Sequence, residues 1–199
     1  MSTINNLNNE GSLIVYVGCM FSGKSSEIIK QCRRHLIIGQ RVLGINYLED
    51  KRYTDEDFIV NHNLEKVHCV KVKYLKDVDN SEILNNDFIF IDEGQFFGDL
   101  LEYVNKWVNE YKKSVCVFGL DGDFKREPFG DILKLIPQCN EVIKLKALCI
   151  PCKNGTEALF THRLSSENEQ VVIGNSNYIP VCRKHYNELN KETEEIETY

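Results

Sequence analysis

Residues 13–17, LIVYV, run without a polar side chain into Gly18-Cys19-Met20-Phe21-Ser22-Gly23-Lys24-Ser25, and this junction limits the fold more than any other part of the chain. The continuous apolar, β-branched run predicts a buried strand. After the loop, SEIIKQCRRHLII places Ile28, Ile29, Cys32 and Leu36 at helical spacing. Strand, glycine-bearing loop and helix is the context that G-x-x-x-x-G-K-[ST] requires. Successive backbone N–H groups there curve around a phosphate, and the helix N-terminus adds a favourable dipole. Gly18, Met20, Phe21, Ser22, Gly23 and Ser26 are the expected surroundings of the phosphates. Lys24 is expected to reach the β- and γ-phosphates, and the Ser25 hydroxyl to hold Mg²⁺.

Alternation continues beyond the loop. RVLGINY, residues 41–47, predicts a second strand, and LEDKRYTDED a loop after it. Residues 58–80 mix short β-like pieces with charge and mark no boundaries. DFIFIDE, residues 87–93, is the next clear strand. YVNKWVNEYKK predicts an amphipathic helix with Val104, Trp107, Val108 and Tyr111 on one side. SVCVFGL follows as a strand over 114–120, then the loop DGDFKREPFG, a short helix DILKLI and a β-like segment at 141–145. Strands alternating with helices imply an α/β fold, a parallel sheet flanked by helices with the P-loop at its first strand. From about Leu148 short cysteine-bearing turns and a hairpin-like stretch, QVVIGNSNYIPV, replace that pattern. The expected division is an ATP-binding domain over 12–147 and a small second domain over 148–187, with 1–11 and 188–199 as flexible tails.

Asp92 and Glu93 close the strand FIFIDE, and carboxyl ends of parallel strands face the ligand crevice. Adjacent acids point differently at a strand end, so Asp92 is assigned to the metal side and Glu93 to a general base. An acid pair of this kind also serves an ATPase, where Glu93 would activate water, and spacing alone does not separate the two. Phe96, Phe97, Phe124 and Phe129 lie in loops expected at the same crevice. They suit stacking on a base as well as filling a core.

Cys149-x-x-Cys152 and Cys182-x-x-His185 supply two chelating pairs, and Cys₃His is a common set for closed structural zinc. A redox C-x-x-C or unrelated thiols are the competing readings. His162 has a poorer spacing for a ligand. His35, His62 and His68 have no partner pattern and read as surface or satisfied core residues. Cys19, Cys32, Cys69 and Cys116 stand alone in helix- or strand-like stretches and read as buried thiols. Eight cysteines without an export signal fit a reducing compartment better than a disulfide framework.

The formal net charge of -6 argues against broad nucleic-acid binding, and the basic run from Lys30 to Arg41 reads as a solvated helix face. No stretch approaches the length of a membrane span.

Taken in order, GCMFSGKSS, Asp50-Lys51-Arg52-Tyr53, IDEGQFF, GLDGDFKREPFG, THRL at 161–164, VVIGNSNY and VCRKHY resemble the cellular and poxviral type of thymidine kinase, over roughly residues 12 to 187. The resemblance implies a P-loop, RecA-like fold and transfer of the ATP γ-phosphate to the 5′-hydroxyl of thymidine or deoxyuridine, in nucleotide salvage. It implies Lys24 and Ser25 on phosphates and Mg²⁺, Asp92 supporting the metal, Glu93 deprotonating the hydroxyl, and Arg52 meeting the transferring phosphoryl group. Asp50 would orient nearby polar groups. Met20, Phe96, Phe124 and Phe129 match residues around the thymine ring. Val172, Gly174 and Tyr178 match contacts of a lasso loop carried by the zinc domain, and Thr161 would sit near the 5-methyl group. A cytoplasmic homotetramer inhibited by dTTP, with no membrane or nucleic-acid partner, is also implied. A P-loop ATPase or nucleotide switch with a structural zinc domain is the alternative. Ser26 stands where Thr is usual and Cys19 where Pro is common, and IGNSNY is one residue short of the familiar lasso, which bears on nucleoside preference.

Overall fold

In the computed structural model, residues 10–50, 56–165, 169–170 and 177–196 are described, with side chains as far as residue 190. The elements run β1 (Ser12–Val17), α1 (Lys24–Ile37), β2 (Val42–Tyr47), β3 (Phe58–Val60), β4 (Lys66–His68), β5 (Val70–Val72), α2 (Asn80–Asn85) and β6 (Phe88–Ile91). They continue with α3 (Leu100–Asn105), β7 (Ser114–Gly119), β8 (Glu141–Lys144), β9 (Ala147–Leu148), β10 (Glu157–Ala158), β11 (Phe160–Arg163), β12 (Tyr178–Val181) and α4 (Arg183–Ile196).

Six strands form one parallel sheet in the order β5-β2-β6-β7-β1-β8. Side chains alternate across a strand, so each strand feeds two layers. Leu13, Val15 and Val17 of β1 join Ile89 and Ile91 of β6 and Val115 and Val117 of β7 beneath Leu100, Val104 and Trp107. The intervening Ile14 and Tyr16 join Phe88, Phe90, Cys116 and Phe118 against Ile28 and Cys32 of α1. Tyr16 and Phe118 stack at 4.2 Å between centroids. Burial on both faces explains why these strands read as unbroken apolar runs.

The helix expected at 103–113 begins at Leu100 and widens into a π-helical turn over Lys106–Glu110, with Val104, Trp107 and Val108 buried as its spacing requires. Residues 58–80, which sequence left unplaced, form the β3–β4 hairpin, the sheet-edge strand β5 and the start of α2, capped by the Asp79 carboxylate accepting the Ser81 N–H at 2.8 Å. Cys32, Cys69 and Cys116 are buried, and burial pushes each thiol up to about 12. The basic run is a solvated face: Lys30 pairs with Glu27, Arg33 with Glu65 and Arg41 with Asp87.

After the sheet, β9 pairs with β10 and β11 with β12, both antiparallel. Their small core holds Ala147, Cys149, Ala158, Val181, Cys182 and Tyr186 together with Cys19 of the phosphate loop. Helix α4 continues through Ile196, past the boundary expected at 187. Tyr178–Val181 of the hairpin-like stretch pairs with β11; residues 171–176 lie outside the described residues, as do 1–9 and 197–199. Among the described residues no helix is long and apolar enough to cross a membrane.

Candidate active site

Three carboxyl ends of the sheet converge on one side. β1 delivers the phosphate loop, β6 the acid pair, and β7, which lies between them, the loop 121–130. Gly23 takes a left-handed φ of 85° immediately before α1, so the loop turns directly into a helix N-terminus. Lys24 is buried, and a buried ammonium requires partners. Its Nζ donates to the carbonyls of Gly18 at 3.1 Å and Cys19 at 2.9 Å. Burial raises the Cys19 thiol, against the opposing pull of Lys24. Ser22 Oγ is buried without a hydrogen-bond partner among the described residues. An orphan hydroxyl in such a loop fits a phosphate oxygen as its partner.

Asp92 and Glu93 are 1% and 4% exposed. The Asp92 N–H donates to the Ile45 carbonyl at 2.9 Å, extending the ladder by one bond, and the chain then turns sharply. Glu93 holds φ 54°, ψ 39°, a left-handed conformation that costs a non-glycine residue about 1–3 kcal/mol and is found at functional sites. Asp92 Oδ1 accepts the Glu93 N–H at 3.0 Å, while Ser25 Oγ lies 3.5 Å from Asp92 Oδ2. A hydroxyl and a carboxylate so placed are a hard-oxygen pair of the kind that suits Mg²⁺.

A cleft of about 390 Å³ opens over these groups. Its walls include Lys24, Ser25, Glu93 and Asp50, with an aromatic side made of Tyr47, Phe96, Phe124, Phe129 and Tyr178. Tyr47 stacks on Phe96 at 5.1 Å, and Phe96 meets Phe129 edge-on at 5.4 Å. The loop carrying Phe124 and Phe129 is shaped by Asp123, whose Oδ1 accepts the N–H groups of Lys125 at 2.8 Å and Glu127 at 3.0 Å. The Tyr186 hydroxyl on α4 donates to the Phe124 carbonyl at 2.8 Å. Arg163 lies over the Phe124 ring at 3.7 Å and donates to the Tyr178 hydroxyl at 2.7 Å and to the Gln170 carbonyl at 3.1 Å.

On the far side of the phosphate loop, Cys149, Cys152, Cys182 and His185 bring four ligand atoms within 4.8 Å of one another. His185 Nδ1 lies 3.4, 3.3 and 3.4 Å from the sulfurs of Cys149, Cys152 and Cys182, and the last two sulfurs are 3.8 Å apart. Tetrahedral zinc with ordinary Zn–S and Zn–N bonds needs S···S edges of about 3.8 Å and S···N edges of about 3.6 Å. The set therefore fits zinc. The Cys182 N–H donates to Cys149 Sγ at 3.2 Å, and the His185 backbone amide is the main cause pulling the Cys182 thiol down to about 6. His185 Nε2 faces Glu188 at 4.0 Å, the kind of outer partner that orients a ligating ring. His162 is outside this cluster. It sits on β11, buried, and burial lowers its pKa.

The family model described as thymidine kinase matches residues 11–186. The chain belongs to the thymidine kinase family. It is 41% identical over 179 residues to the thymidine kinase of Vaccinia virus (strain Western Reserve), covering 89% of this chain and 98% of the relative. It is 39% identical over 181 residues to that of Yaba monkey tumor virus, covering 90% and 97%. Identity to the cytosolic thymidine kinase of Homo sapiens is 41% over 177 residues, covering 88% of this chain and 73% of the relative. Membership of the thymidine kinase family makes the chain an ATP-dependent phosphotransferase.

Of the residues that the phosphate-loop motif, the strand-end acids and the resemblance brought forward, Met20, Phe21, Ser22, Gly23, Lys24, Ser25, Ser26, Asp50, Glu93, Phe96, Phe124, Phe129, Thr161 and Tyr178 line the cleft. Gly18 and Asp92 stand behind it, in contact through Lys24 and Ser25. Arg52, Val172 and Gly174 lie outside the described residues. Tyr47, Asn61, His62, Asp123 and Gln170 also line the cleft without having been singled out for it. Asn61 Nδ2 donates to Ser26 Oγ at 3.3 Å, and His62 stacks on Phe21 at 5.4 Å, so the β3–β4 hairpin leans on the phosphate loop. Nothing local in 58–80 signals this. Asp123, by contrast, sits in DGDFKREPFG, where an Asp ahead of charged residues and Pro is a recognisable turn former.

Proposed function

We propose that the chain transfers the γ-phosphate of ATP to the 5′-hydroxyl of thymidine, and also of deoxyuridine, giving dTMP and ADP. The supporting observation is that Lys24, Glu93 and the aromatic wall of Phe96, Phe124 and Phe129 line one cleft. In-line transfer needs the acceptor oxygen, its base and the charge-stabilising groups within a single enclosure. Glu93 takes the proton of the 5′-hydroxyl as that oxygen attacks the γ-phosphorus. The bond to the bridging oxygen breaks, and ADP leaves with the electron pair. Lys24 and the loop amides meet the charge on the β- and γ-phosphates, and Arg52 meets the charge on the transferring group. Ser25 and Asp92 hold Mg²⁺, with Asp92 acting directly or through water; when bound, the ion neutralises phosphate oxygens. Asp50 orients nearby polar groups, Asn46 Nδ2 donating to its Oδ2 at 3.1 Å.

Met20, Phe96, Phe124 and Phe129 enclose the base, and Val172, Gly174 and Tyr178 cover it. With its hydroxyl engaged by the Met20 amide, Thr161 offers its methyl group to the 5-position. Zinc on Cys149, Cys152, Cys182 and His185 is structural, since four protein ligands close a tetrahedral site. A cytoplasmic homotetramer inhibited by dTTP belongs to the same reading.

The test is to incubate the zinc-loaded protein with γ-labelled ATP, Mg²⁺ and separate nucleosides, then to identify labelled products by chromatography. Label should enter dTMP and dUMP. Release of labelled phosphate regardless of nucleoside would instead favour an ATPase or nucleotide switch.

A further inference from the structure

Two residues after Glu93, the side chain of Gln95 is buried, and an amide survives burial only when both ends find partners. Its Oε1 accepts the Leu120 N–H at 2.9 Å, and its Nε2 donates to Glu93 Oε2 at 2.6 Å. A backbone N–H can only donate, so the end facing Leu120 must be the oxygen, and the NH₂ group is thereby turned toward Glu93. Orientation at the acid is thus set from the end of β7. Two glycines pack closely on this residue, one on its side chain and one on its backbone. A Cβ on Gly119 would lie 2.4 Å from Gln95 Oε1, and one on Gly130 would lie 2.0 Å from the Gln95 carbonyl oxygen. Neither position accepts a larger residue without displacing Gln95.

We infer that Gln95 is a positioning residue, which fixes one oxygen of the Glu93 carboxylate so that the acid meets the acceptor hydroxyl in a single orientation. The inference rests on the reading of Glu93 as general base. Gln95 transfers no proton itself; it donates a hydrogen bond that stabilises the carboxylate and restricts its rotation. The left-handed backbone at Glu93 places that carboxylate on a sharp turn, where the side-chain anchor complements the backbone bonds. A displacement on the order of 1 Å at a reacting group costs about 100-fold in rate.

The experiment measures kcat and KM for ATP and thymidine in the full-length, zinc-loaded protein and in Gln95→Leu, Gln95→Met, Glu93→Gln and the Glu93→Gln/Gln95→Leu double variant. Gln95→Met keeps the length and volume of the side chain but has no donor for Glu93, so it decides the matter if Gln95→Leu does not fold. Both Gln95 variants should lose about 10- to 100-fold in kcat with each KM within about 3-fold. The double variant should be no more than about 2-fold slower than Glu93→Gln, because a positioning residue has nothing left to position. Normal kcat in the Gln95 variants beside an inactive Glu93→Gln would overturn this inference alone, as would multiplicative losses in the double variant. Near-normal transfer by Glu93→Gln would overturn the general-base reading and this inference with it.

Discussion

The side-chain hydroxyl of Thr161, on β11, accepts the backbone N–H of Met20 in the phosphate loop at 3.0 Å. A residue from the part of the chain that carries the Cys₃His cluster therefore hydrogen-bonds directly to the proposed nucleotide-binding loop. Cys19 strengthens the join by packing in the same buried cluster as Cys149, Cys182 and Tyr186. Changes in the part that carries the Cys₃His cluster should consequently be felt at the phosphates.

Thr161→Val keeps the volume and removes the acceptor, leaving the Met20 amide without this partner. Stability should fall by about 1–2 kcal/mol, read as a lower denaturation midpoint. KM for ATP should rise several-fold, more than KM for thymidine. An unchanged midpoint and unchanged KM would mean that the bond contributes nothing.

Glu93→Gln should retain nucleotide binding while kcat falls about 10²- to 10⁴-fold, the usual worth of a general base. Lys24→Ala should show the opposite emphasis, with weakened ATP binding as well as slowed transfer, because a cation is lost from the phosphate loop. Titration with a fluorescent ATP analogue, set beside steady-state rates, separates the two patterns.

Metal analysis should give one zinc per chain, and its removal should expose specific thiols. Burial holds Cys32, Cys69 and Cys116 at about 12. A raised thiol pKa leaves only about 10⁻⁴ of each as thiolate at pH 8, and the thiolate is the reactive form. Iodoacetamide at that pH should therefore spare all three in the native protein. A chelator should open Cys149, Cys152 and Cys182 to alkylation and lower the melting temperature. Mass spectrometry reads the outcome, and chelator-insensitive labelling at those positions would contradict a zinc site.

Arg163→Met should lower nucleoside affinity selectively. The guanidinium bridges the Phe124 ring, the Tyr178 hydroxyl and the Gln170 carbonyl, while a thioether provides none of those donors. A loss of about 1–2 kcal/mol corresponds to a rise in thymidine KM of roughly 5- to 30-fold, with KM for ATP within about 3-fold. Equal increases in both KM values would mark a general loosening instead.

Much of this organisation was legible from neighbouring residues. The unbroken apolar runs of β1, β6 and β7 announced strands buried on both faces. The phosphate loop and the two Cys/His pairs declared themselves because their key residues are set a few positions apart. Residues 58–80 gave no such signal, since β3, β4 and β5 are only three residues long, too short for a period to show. Gln95 was likewise hidden. It stands in plain view between Glu93 and Phe96, but its role depends on a backbone amide that arrives with β7.

Periodicity, residue chemistry and short spacings therefore determined the α/β class, the phosphate loop, the strand-end acids and the two halves of the Cys₃His cluster, because each depends on residues close together in the chain. Tertiary structure alone decided that β7 would lie between β1 and β6, that Asp123 and Arg163 would shape the aromatic wall, and that Thr161 would bond to Met20 across 141 positions. Those contacts follow from strand order and side-chain packing, which join residues that no local pattern relates.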